Sequence, residues 1–363
     1  MERPLTGHRW QRLVLRRPVR FTGESLAAYV CRLIAYGLGF TGFTALLGGI
    51  VIVSLLVPAA APGNAEAVLF AVPAGSTAAD IGRALQEAGL IRNARHFQLV
   101  SRFMGLDGRL QAGDYLLSAD MNLVSIVRQL ETGTVYTVRV TIPEGLHLRQ
   151  IADLLARHDL VDRERFLELA SDDRLVYGNN PPIDKPIRSL EGYLFPDTYL
   201  FSPSMTEEQI IRRMVNRFLE VAAPVIESME APLGLSLHQV VTLASIVEAE
   251  ALYQREHPVI ASVFLNRLRI NMPLQADPTI NYLFDEHRSR ILYSDLEIDS
   301  PYNTYRYAGL PPGPIGSPGL SAIRAVLEPA ETDYYFFVAR GDGTHIFTRT
   351  FAEHVRARQQ VRR

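Results

Sequence analysis

Leu33–Val57 is a run of 25 residues without a charged side chain, and it restricts the possible folds more than any other stretch of this chain. A helix of that length is long enough to span the hydrocarbon core of a membrane, which is about 30 Å thick. Residues 1–32 carry seven arginines against two glutamates, which favours a cytoplasmic N-terminus. A cleaved signal peptide is the alternative, although the run is long for one. The sequence therefore predicts a cytoplasmic tail (1–32), a transmembrane helix (33–57) and a linker (58–66).

The composition excludes several classes of site. The chain has one cysteine, so it forms no internal disulfide and no cysteine-based metal site. Its nine histidines show no metal-ligand spacing, and the sequence contains no phosphate-binding glycine loop. The net charge is -2, and because positive charge is concentrated at the N-terminus, the remainder is acidic overall. We therefore predict no metal, no cofactor and no nucleic-acid partner.

Residues 69–134 and 136–216 resemble each other. Each copy begins with a Pro-x-Gly turn, and the apolar positions after the turn match at an offset of 70. A later Tyr-Leu-x-Ser motif recurs at an offset of 84, so the second copy holds about 14 extra residues. Each copy is predicted as strand, turn, two helices, strand and a further helix. Together the copies predict one sheet with helices on one face, an α+β arrangement, and they serve either as sugar-binding modules or as spacers.

The second copy contains the segment LEGYLFPDTY, Leu190–Tyr199. Glu191 and Tyr193 belong to its mixture of carboxylates and aromatic rings. Such a mixture suits a platform that binds sugars, and it equally suits a buried hairpin with paired acids.

The segment LASIVEAEA, Leu243–Ala251, is predicted to lie in a helix of residues 238–254 with Ser236 as its N-cap. Apolar residues at helical spacing form a stripe on this helix, and Glu248 lies beside the stripe. A carboxylate there is desolvated unless it is paired, so its pKa should be raised, as a general acid requires. Glu250 lies about 200° further round the helix, so the two acids are not a dyad. The alternative is that Glu248 reaches solvent or pairs with an arginine.

Ser300–Gly319 is a stretch of twenty residues with five prolines, four glycines and three tyrosines. This composition excludes a helix or a central strand. A long, stiff and aromatic loop in a folded domain usually lines a site, and the alternative is a structural wrap over the core. The elements predicted around it are a helix over Val259–Ile270, a polar turn around Gln275 and Asp277, a helix over Leu320–Leu327, a hairpin of Tyr334–Ala339 with His345–Thr348, and a solvated basic tail.

The chain resembles the MltG (YceG-like) family of endolytic murein transglycosylases over most of its length beyond residue 65. The motifs that carry the resemblance are highly specific in combination: LEGYLFPDTY, LASIVEAEA, VFLNRLR, LQADPT and SPYNTYRYAGLPPGPIGSPG. The resemblance implies a single-pass inner-membrane protein whose catalytic part is periplasmic and cleaves nascent glycan strands. It implies a LysM-like module, placed at residues 67–134, and a catalytic core, placed at 217–363; the second copy of the repeat, 135–216, is a related module that merges into the catalytic domain. It does not identify which peptidoglycan synthases are partners.

The same resemblance suggests roles for individual residues. The family's catalytic glutamate falls on Glu248, but the Lys-Glu-Thr that often follows in the family is Ala249-Glu250-Ala251 here. The residues that match recurrent family positions, and are expected to hold the sugar or position Glu248, are Gln275, Asp277, Tyr302, Asn303 and Tyr305.

One desolvated glutamate fits lytic cleavage. The acid protonates the glycosidic oxygen between MurNAc and GlcNAc, and its carboxylate then helps the MurNAc 6-hydroxyl attack its own C1, which gives a 1,6-anhydroMurNAc end. Two alternatives remain open. One is a muramidase with Asp277 or Glu191 as a second carboxylate, since hydrolysing glycosidases use two. The other is a non-enzymic, glycan-binding assembly factor.

Overall fold

The computed structural model describes residues 26–61, 63, 65–286 and 288–361, so most of the predicted cytoplasmic tail lies outside the described residues. The chain divides into two compact units. The first comprises the described residues up to Ala67 together with Thr77–Leu110 and Leu117–Glu131. The second comprises Val68–Ser76, Gln111–Leu116 and the described residues from Thr132 onwards.

The N-terminal helix α1, Leu26–Leu56, is 31 residues long. Within it, Ala28–Ile50 is apolar and long enough to cross a membrane, and none of its most apolar stretch is buried by the protein. The predicted run therefore forms an exposed apolar helix, although the helix begins seven residues earlier than the predicted span. A helix with no apolar partner in the protein is suited to a lipid environment.

The first repeat contains the predicted elements in the predicted order. They are β1 (Ala67–Val72), α2 (Ala78–Glu87), α3 (Ala94–Phe103), β2 (Gly113–Ser118) and α4 (Leu123–Thr132). Helix α2 begins at a capping box in which Thr77 and Asp80 satisfy each other's backbone N–H groups, and Asn93 caps α3.

The second repeat has the same order with one addition. Its elements are β3 (Val138–Thr141), α5 (Leu148–Ala156), α6 (Arg163–Ser171), α7 (Asp173–Tyr177), β4 (Thr198–Phe201) and α8 (Glu207–Val221). The short helix α7 lies in the extra stretch that the offset change predicted. Strands β3 and β4 are antiparallel, with Val140 opposite Tyr199.

The expectation of one sheet shared by both repeats is wrong. Among the described residues, β1–β2 and β3–β4 are separate two-stranded sheets. A side chain connects the two repeats instead: the buried carboxylate of Asp114 on β2 accepts hydrogen bonds from Ser202 Oγ at 2.5 Å and Ser204 N at 2.7 Å.

The rest of the second unit is mainly helical. Its elements are α9 (Ala223–Glu227), α10 (Leu237–Glu250), α11 (His257–Arg269), α12 (Asp277–Asn281), α13 (Leu320–Leu327), the antiparallel hairpin β5 (Phe336–Ala339) and β6 (His345–Thr348), and α14 (Phe351–Val361). The predicted hairpin and the helix over Leu320–Leu327 are confirmed. Helix α14 covers the first part of the tail that was expected to be solvated, and its Ala357 is buried.

Helix α10 is the central helix of this unit. Its residues Val240–Val247 are all buried, and it packs against α9, α11, α12 and α13. Ser236 caps it with Gln239 in a capping box, as predicted. The helix ends at Glu250, four residues before its predicted end, because Ala251 is extended and the side chain of Leu252 is 72% exposed. Extending the helix through Leu252 would bury no further apolar side chain. The last turn of α10 therefore lies at the surface.

Candidate active site

A cleft of about 390 Å³ opens beside the last turn of α10. This volume lies within the range of small-ligand sites. Residues from four parts of the second unit line it: Gly145, His147, Gln150, Ala249, Glu250, Asp277, Pro278, Asn281, Tyr282, Phe284, Asp285 and Ile315. The Pro-x-Gly turn of the second repeat thus forms one wall, and the segment around α12 forms another.

Glu250 is the last residue of α10, and its half-buried side chain lines the cleft. Burial, followed by the nearby charge of Asp277, raises the pKa of Glu250 to about 8, against the opposing charge of Arg267. The carboxyl group is therefore largely protonated at neutral pH. A protonated carboxylic acid in a cleft can donate a proton to a bound ligand.

Asp277 is the second carboxylate of the cleft, and it begins α12. Its Oδ1 accepts a hydrogen bond of 2.5 Å from the hydroxyl of Tyr305. Burial raises the pKa of Tyr305 well above its ordinary value, so the phenol remains a donor at neutral pH. Asp277 and Tyr305, which were predicted site residues from two separate segments, therefore lie together at the cleft.

Glu248, the predicted acid, lies against Gly145 of the cleft wall, where a Cβ on the glycine would be 3.6 Å from Glu248 Cγ. Its side chain is 9% exposed, and its Oε1 lies 4.0 Å from Nε2 of the buried His257. Burial raises the pKa of Glu248 to about 7, although a hydrogen bond from Gly319 lowers it. The predicted rise in pKa is confirmed. The prediction that the two acids are not a dyad also agrees with their different neighbours, and Glu250 is the one that lines the cleft.

Three polar side chains on one face of α10 hold the Pro- and Gly-rich loop against the helix. The bonds are, in chain order, His238 Nε2 to Pro312 O at 2.8 Å, Ile315 N to Ser245 Oγ at 3.0 Å, and Gly319 N to Glu248 Oε2 at 2.9 Å. Because these side chains are seven and three residues apart, they share one helical face. Glu248 is therefore the last of three attachments between α10 and the loop.

Three predicted substrate residues are buried and have their polar groups occupied. Asn303 is fully buried and donates to Leu296 O and Ile298 O, so it fixes the loop backbone. Glu191 is 3% exposed and accepts hydrogen bonds from Leu148 N and the Tyr282 hydroxyl. Tyr193 is fully buried, and its hydroxyl pairs with His238 Nδ1 at 2.7 Å. In this structure the polar groups of these three buried side chains bond to other parts of the protein, and their role in binding a sugar stays a prediction.

Tyr302 and Gln275 lie near the cleft walls. The ring of Tyr302 packs at a tilt on that of Tyr282, with 5.1 Å between centroids, and Tyr282 lines the cleft. Gln275 has a positive φ of 45°, and its N–H donates to Thr304 O at 3.0 Å, so its backbone is fixed while its side chain is exposed.

The sequence reasoning missed the wall formed by the second repeat. His147 caps α5 by accepting a hydrogen bond from Gln150 N, and burial lowers the pKa of His147 to about 4, so its ring is neutral. Arg149 donates to the carbonyl oxygens of Tyr282 and Phe284, which joins the two walls. The Pro-x-Gly turn before His147 was visible in the sequence, but it read as part of a repeat and not as part of a site.

Comparisons with known proteins agree with the motifs. The profile of the YceG-like family matches residues 70–360. An endolytic murein transglycosylase of Bacillus subtilis (strain 168) is 37% identical over 304 residues, which cover 80% of this chain and 83% of that protein. An endolytic murein transglycosylase of Streptococcus pneumoniae serotype 2 (strain D39) is 30% identical over 337 residues, which cover 84% of this chain and 61% of that protein.

A solved structure is similar as well. The crystal structure of a YceG-like protein from Listeria monocytogenes matches with a TM-score of 0.53 and 36% identity, covering 80% of this chain and 98% of that one. The family resemblance seen in the sequence motifs is thereby confirmed. The chain belongs to the YceG-like family.

Proposed function

We propose that this protein is an endolytic peptidoglycan lytic transglycosylase that cleaves the MurNAc-β-1,4-GlcNAc bond inside nascent glycan strands. Relatives named endolytic murein transglycosylases make it an enzyme that acts on peptidoglycan. The observation that carries the specific proposal is the carboxyl group of Glu250, which lines the cleft and has a pKa of about 8. A cleft with an acid that is protonated at neutral pH suits cleavage of a glycosidic bond.

The reaction would proceed in two steps with one acid. Glu250 donates its proton to the glycosidic oxygen, which leaves as the 4-hydroxyl of GlcNAc. The Glu250 carboxylate then accepts the proton of the MurNAc 6-hydroxyl, whose oxygen bonds to C1 of the same sugar. The product is a 1,6-anhydroMurNAc end, no water is consumed, and the intramolecular nucleophile has a high effective concentration.

We propose Glu250 because its side chain lines the cleft; Glu248, to which the family resemblance assigns the acid, lies next to Gly145 of the same cleft. Glu250 lines the cleft beside Asp277, whereas Glu248 accepts a hydrogen bond from Gly319 N and lies next to His257. Both acids have raised pKa values, so pKa alone does not separate them. Asp277, held by Tyr305, would keep Glu250 protonated and bind the sugar, with Gln275 and the tyrosines at the edge.

A muramidase that uses two carboxylates is the second candidate. Glu250 and Asp277 both line the cleft, and a pair of carboxyl groups beside the scissile bond is typical of glycoside hydrolases. In that case Asp277 would act as nucleophile or activate a water molecule. Glu191 does not suit this role, because its carboxylate is buried and accepts hydrogen bonds from Leu148 and Tyr282.

The remainder of the chain would place the cleft close to its substrate at the membrane. We assign residues 33–57 to a single inner-membrane span, with residues 1–32 cytoplasmic, 58–66 a linker and the catalytic core (217–363) periplasmic. Residues 67–134 would form a LysM-like module that binds glycan, and 135–216 a related module that merges with the core. Peptidoglycan synthases, which make nascent strands at the same membrane, are the expected protein partners.

The test is mass spectrometry of uncrosslinked peptidoglycan strands incubated with the full-length protein in detergent. The parent is compared with Glu250→Gln and Glu248→Gln. We expect anhydro-terminated fragments, a loss of rate of about 100-fold or more in Glu250→Gln, and a loss below about 10-fold in Glu248→Gln. A larger loss of rate in Glu248→Gln than in Glu250→Gln would identify Glu248 as the general acid. Reducing MurNAc ends would favour the muramidase, and intact strands with folded protein would contradict both enzymes.

A further inference from the structure

Helix α3 in the first compact unit exposes two large apolar side chains. Phe103 is 94% exposed and Leu99 is 57% exposed. They lie four residues apart and are therefore neighbours on the helix surface. Their exposure is notable because α3 already has a separate buried face, formed by Phe97 and Ser101.

The exposed residues form one continuous face. At about 100° per residue, His96, Leu99 and Phe103 fall within about 60° of one another, and the buried Phe97 lies on the other side of the helix. The apolar pair is thus directed away from the contacts that hold the module together. It is available to something outside the module.

This face begins beside helix α1. Arg92 and His96 line a groove together with Leu46, Ile50 and Val53 of α1. Ile50 is also the last residue of the segment that is apolar and long enough to cross a membrane. The side of α3 that carries Leu99 and Phe103 therefore starts beside the C-terminal part of the proposed membrane span.

The charge around the apolar pair is positive. Ile91–Leu110 contains one acidic residue, Asp107, and four exposed arginines: Arg92, Arg95, Arg102 and Arg109. Within the part of the chain that the structure describes, none of the four forms an ion pair. Guanidinium groups bind phosphate oxygens well, and arginine beside exposed apolar residues is typical of helices that lie in a membrane interface.

We propose that α3 lies on the lipid surface, with Phe103 and Leu99 inserted at the boundary of headgroups and acyl chains and the arginines on anionic lipid phosphates. This contact rests on the proposed anchoring by α1 and adds a second attachment to it. The linker already bonds to the first module, through Ala60 N to Ala119 O and Gly63 N to Asp120 Oδ2, and α3 would hold that module against the membrane.

The test uses tryptophan fluorescence of the full-length protein in vesicles. Trp10 is the chain's single tryptophan, so Trp10→Phe removes the background and Phe103→Trp introduces a probe. The vesicles contain phosphatidylglycerol and a phosphatidylcholine that is brominated near the headgroup end of its acyl chains. We expect bromination to lower the probe's fluorescence about two-fold or more, since interfacial helices bury their apolar face about 5–10 Å deep. The matched control is Leu200→Trp, because Leu200 is 45% exposed on β4 of the other unit.

The outcomes distinguish the contact of α3 with lipid from the anchoring by α1. The inference is supported if bromination quenches the probe at position 103 but not at position 200. The double variant Arg95→Glu with Arg102→Glu should then weaken the quenching at position 103. Vesicle-bound protein without quenching at position 103 would overturn it and leave the anchoring by α1 intact. Three further results would also overturn it. They are equal quenching at both positions, unchanged quenching in the arginine variant, and shielding of the probe only after glycan strands are added. Protein that does not float with the vesicles would overturn both the anchoring and this contact.

Discussion

Glu248 Oε2 accepts a hydrogen bond of 2.9 Å from the backbone N–H of Gly319, and this bond joins the last turn of α10 to the start of α13. Gly319 is the N-cap residue of α13 and has no side chain to satisfy that helix terminus. The side chain of Glu248 accepts from the N–H of this N-cap residue, and the bond offsets part of the cost of burying the carboxylate. Glu248 thus attaches the loop to α10 beside the cleft, and Glu250 is the acid that we propose for the chemistry.

Glu248→Gln tests this role through the pH dependence of stability. The pKa of Glu248 is about 7 in the folded protein against 4.5 in an unfolded chain, so the unfolded state binds fewer protons between these values. The free energy of unfolding of the parent therefore falls as pH rises through this window. The glutamine amide can still accept from Gly319 N but does not titrate. We expect the variant to gain up to about 3 kcal/mol relative to the parent between pH 4.5 and pH 7.

Chemical denaturation of parent and variant at pH 4.5 and pH 8 measures this difference. Other acids with raised pKa values titrate in both proteins and cancel in the comparison. A stability difference that stays constant with pH would contradict the buried, titrating Glu248. A variant that is equally destabilised at both pH values would instead indicate that the amide fails to replace the Gly319 bond.

The pH profile of activity tests Glu250 as the acid. Cleavage needs the protonated form, so kcat/KM should fall as pH rises through about 8, the pKa of Glu250. The negative charge of Asp277 contributes to this high pKa. Asp277→Asn should therefore move the falling limb to lower pH, in addition to any loss of rate. Asp285→Asn is the control, because Asp285 also lines the cleft but does not contribute to the shift. A limb that moves equally in both variants would argue against Glu250.

Local patterns predicted the elements of this chain better than the site. The apolar run of α1, the Ser236 cap and the raised pKa of Glu248 follow from residues close together in the sequence, where spacing determines geometry. The choice between Glu248 and Glu250 depends on Asp277 and on the second repeat, which the fold brings to the same cleft. That proximity is a tertiary property and has no signal in the helix itself.

Asn303 illustrates a second limit. A polar residue among tyrosines, prolines and glycines suggests contact with a sugar, but a loop that lacks regular structure must also satisfy its own backbone. The amide of Asn303 does so, by donating to two carbonyl oxygens and accepting from Tyr305 N. The sequence does not reveal whether the residue binds a sugar or bonds to the loop backbone, since an asparagine in a loop of this kind can do either.

Gly316→Ala tests how closely the loop approaches the second repeat. The loop pairs with the Pro-x-Gly turn through Gly145 N to Ser317 O and Ser317 N to Leu146 O. A Cβ on Gly316 would lie 2.6 Å from the carbonyl oxygen of Gly145, and backbone atoms have little room to move. We expect a loss of stability of about 1–3 kcal/mol and a loss of activity, because Gly145 and Ile315 line the cleft. Gly341→Ala is the control, because a Cβ there meets nothing within 4 Å. Equal stability of both variants in denaturation would contradict the close approach.

Lys185 and Asp173 form a buried ion pair in the second repeat, and removing one partner of such a pair is strongly destabilising. Their side chains are 1% and 2% exposed, the Nζ–Oδ2 distance is 2.5 Å, and Lys185 also donates to Ile187 O. Lys185→Met would leave the buried Asp173 carboxylate with only Arg188 Nη1 as a cationic neighbour, at 3.9 Å. We therefore expect a loss of about 3–5 kcal/mol in the free energy of unfolding.

The surface pair Arg165–Glu168 is the matched control, because its side chains are 47% and 59% exposed and such pairs contribute about 0–1 kcal/mol. Chemical denaturation of Lys185→Met and Arg165→Met should separate the two cases clearly. Adding Asp173→Asn to Lys185→Met should recover part of the loss, since it removes the unpaired charge. A double variant no more stable than Lys185→Met would mean that Lys185 acts through its bonds to the loop carbonyls and not through Asp173.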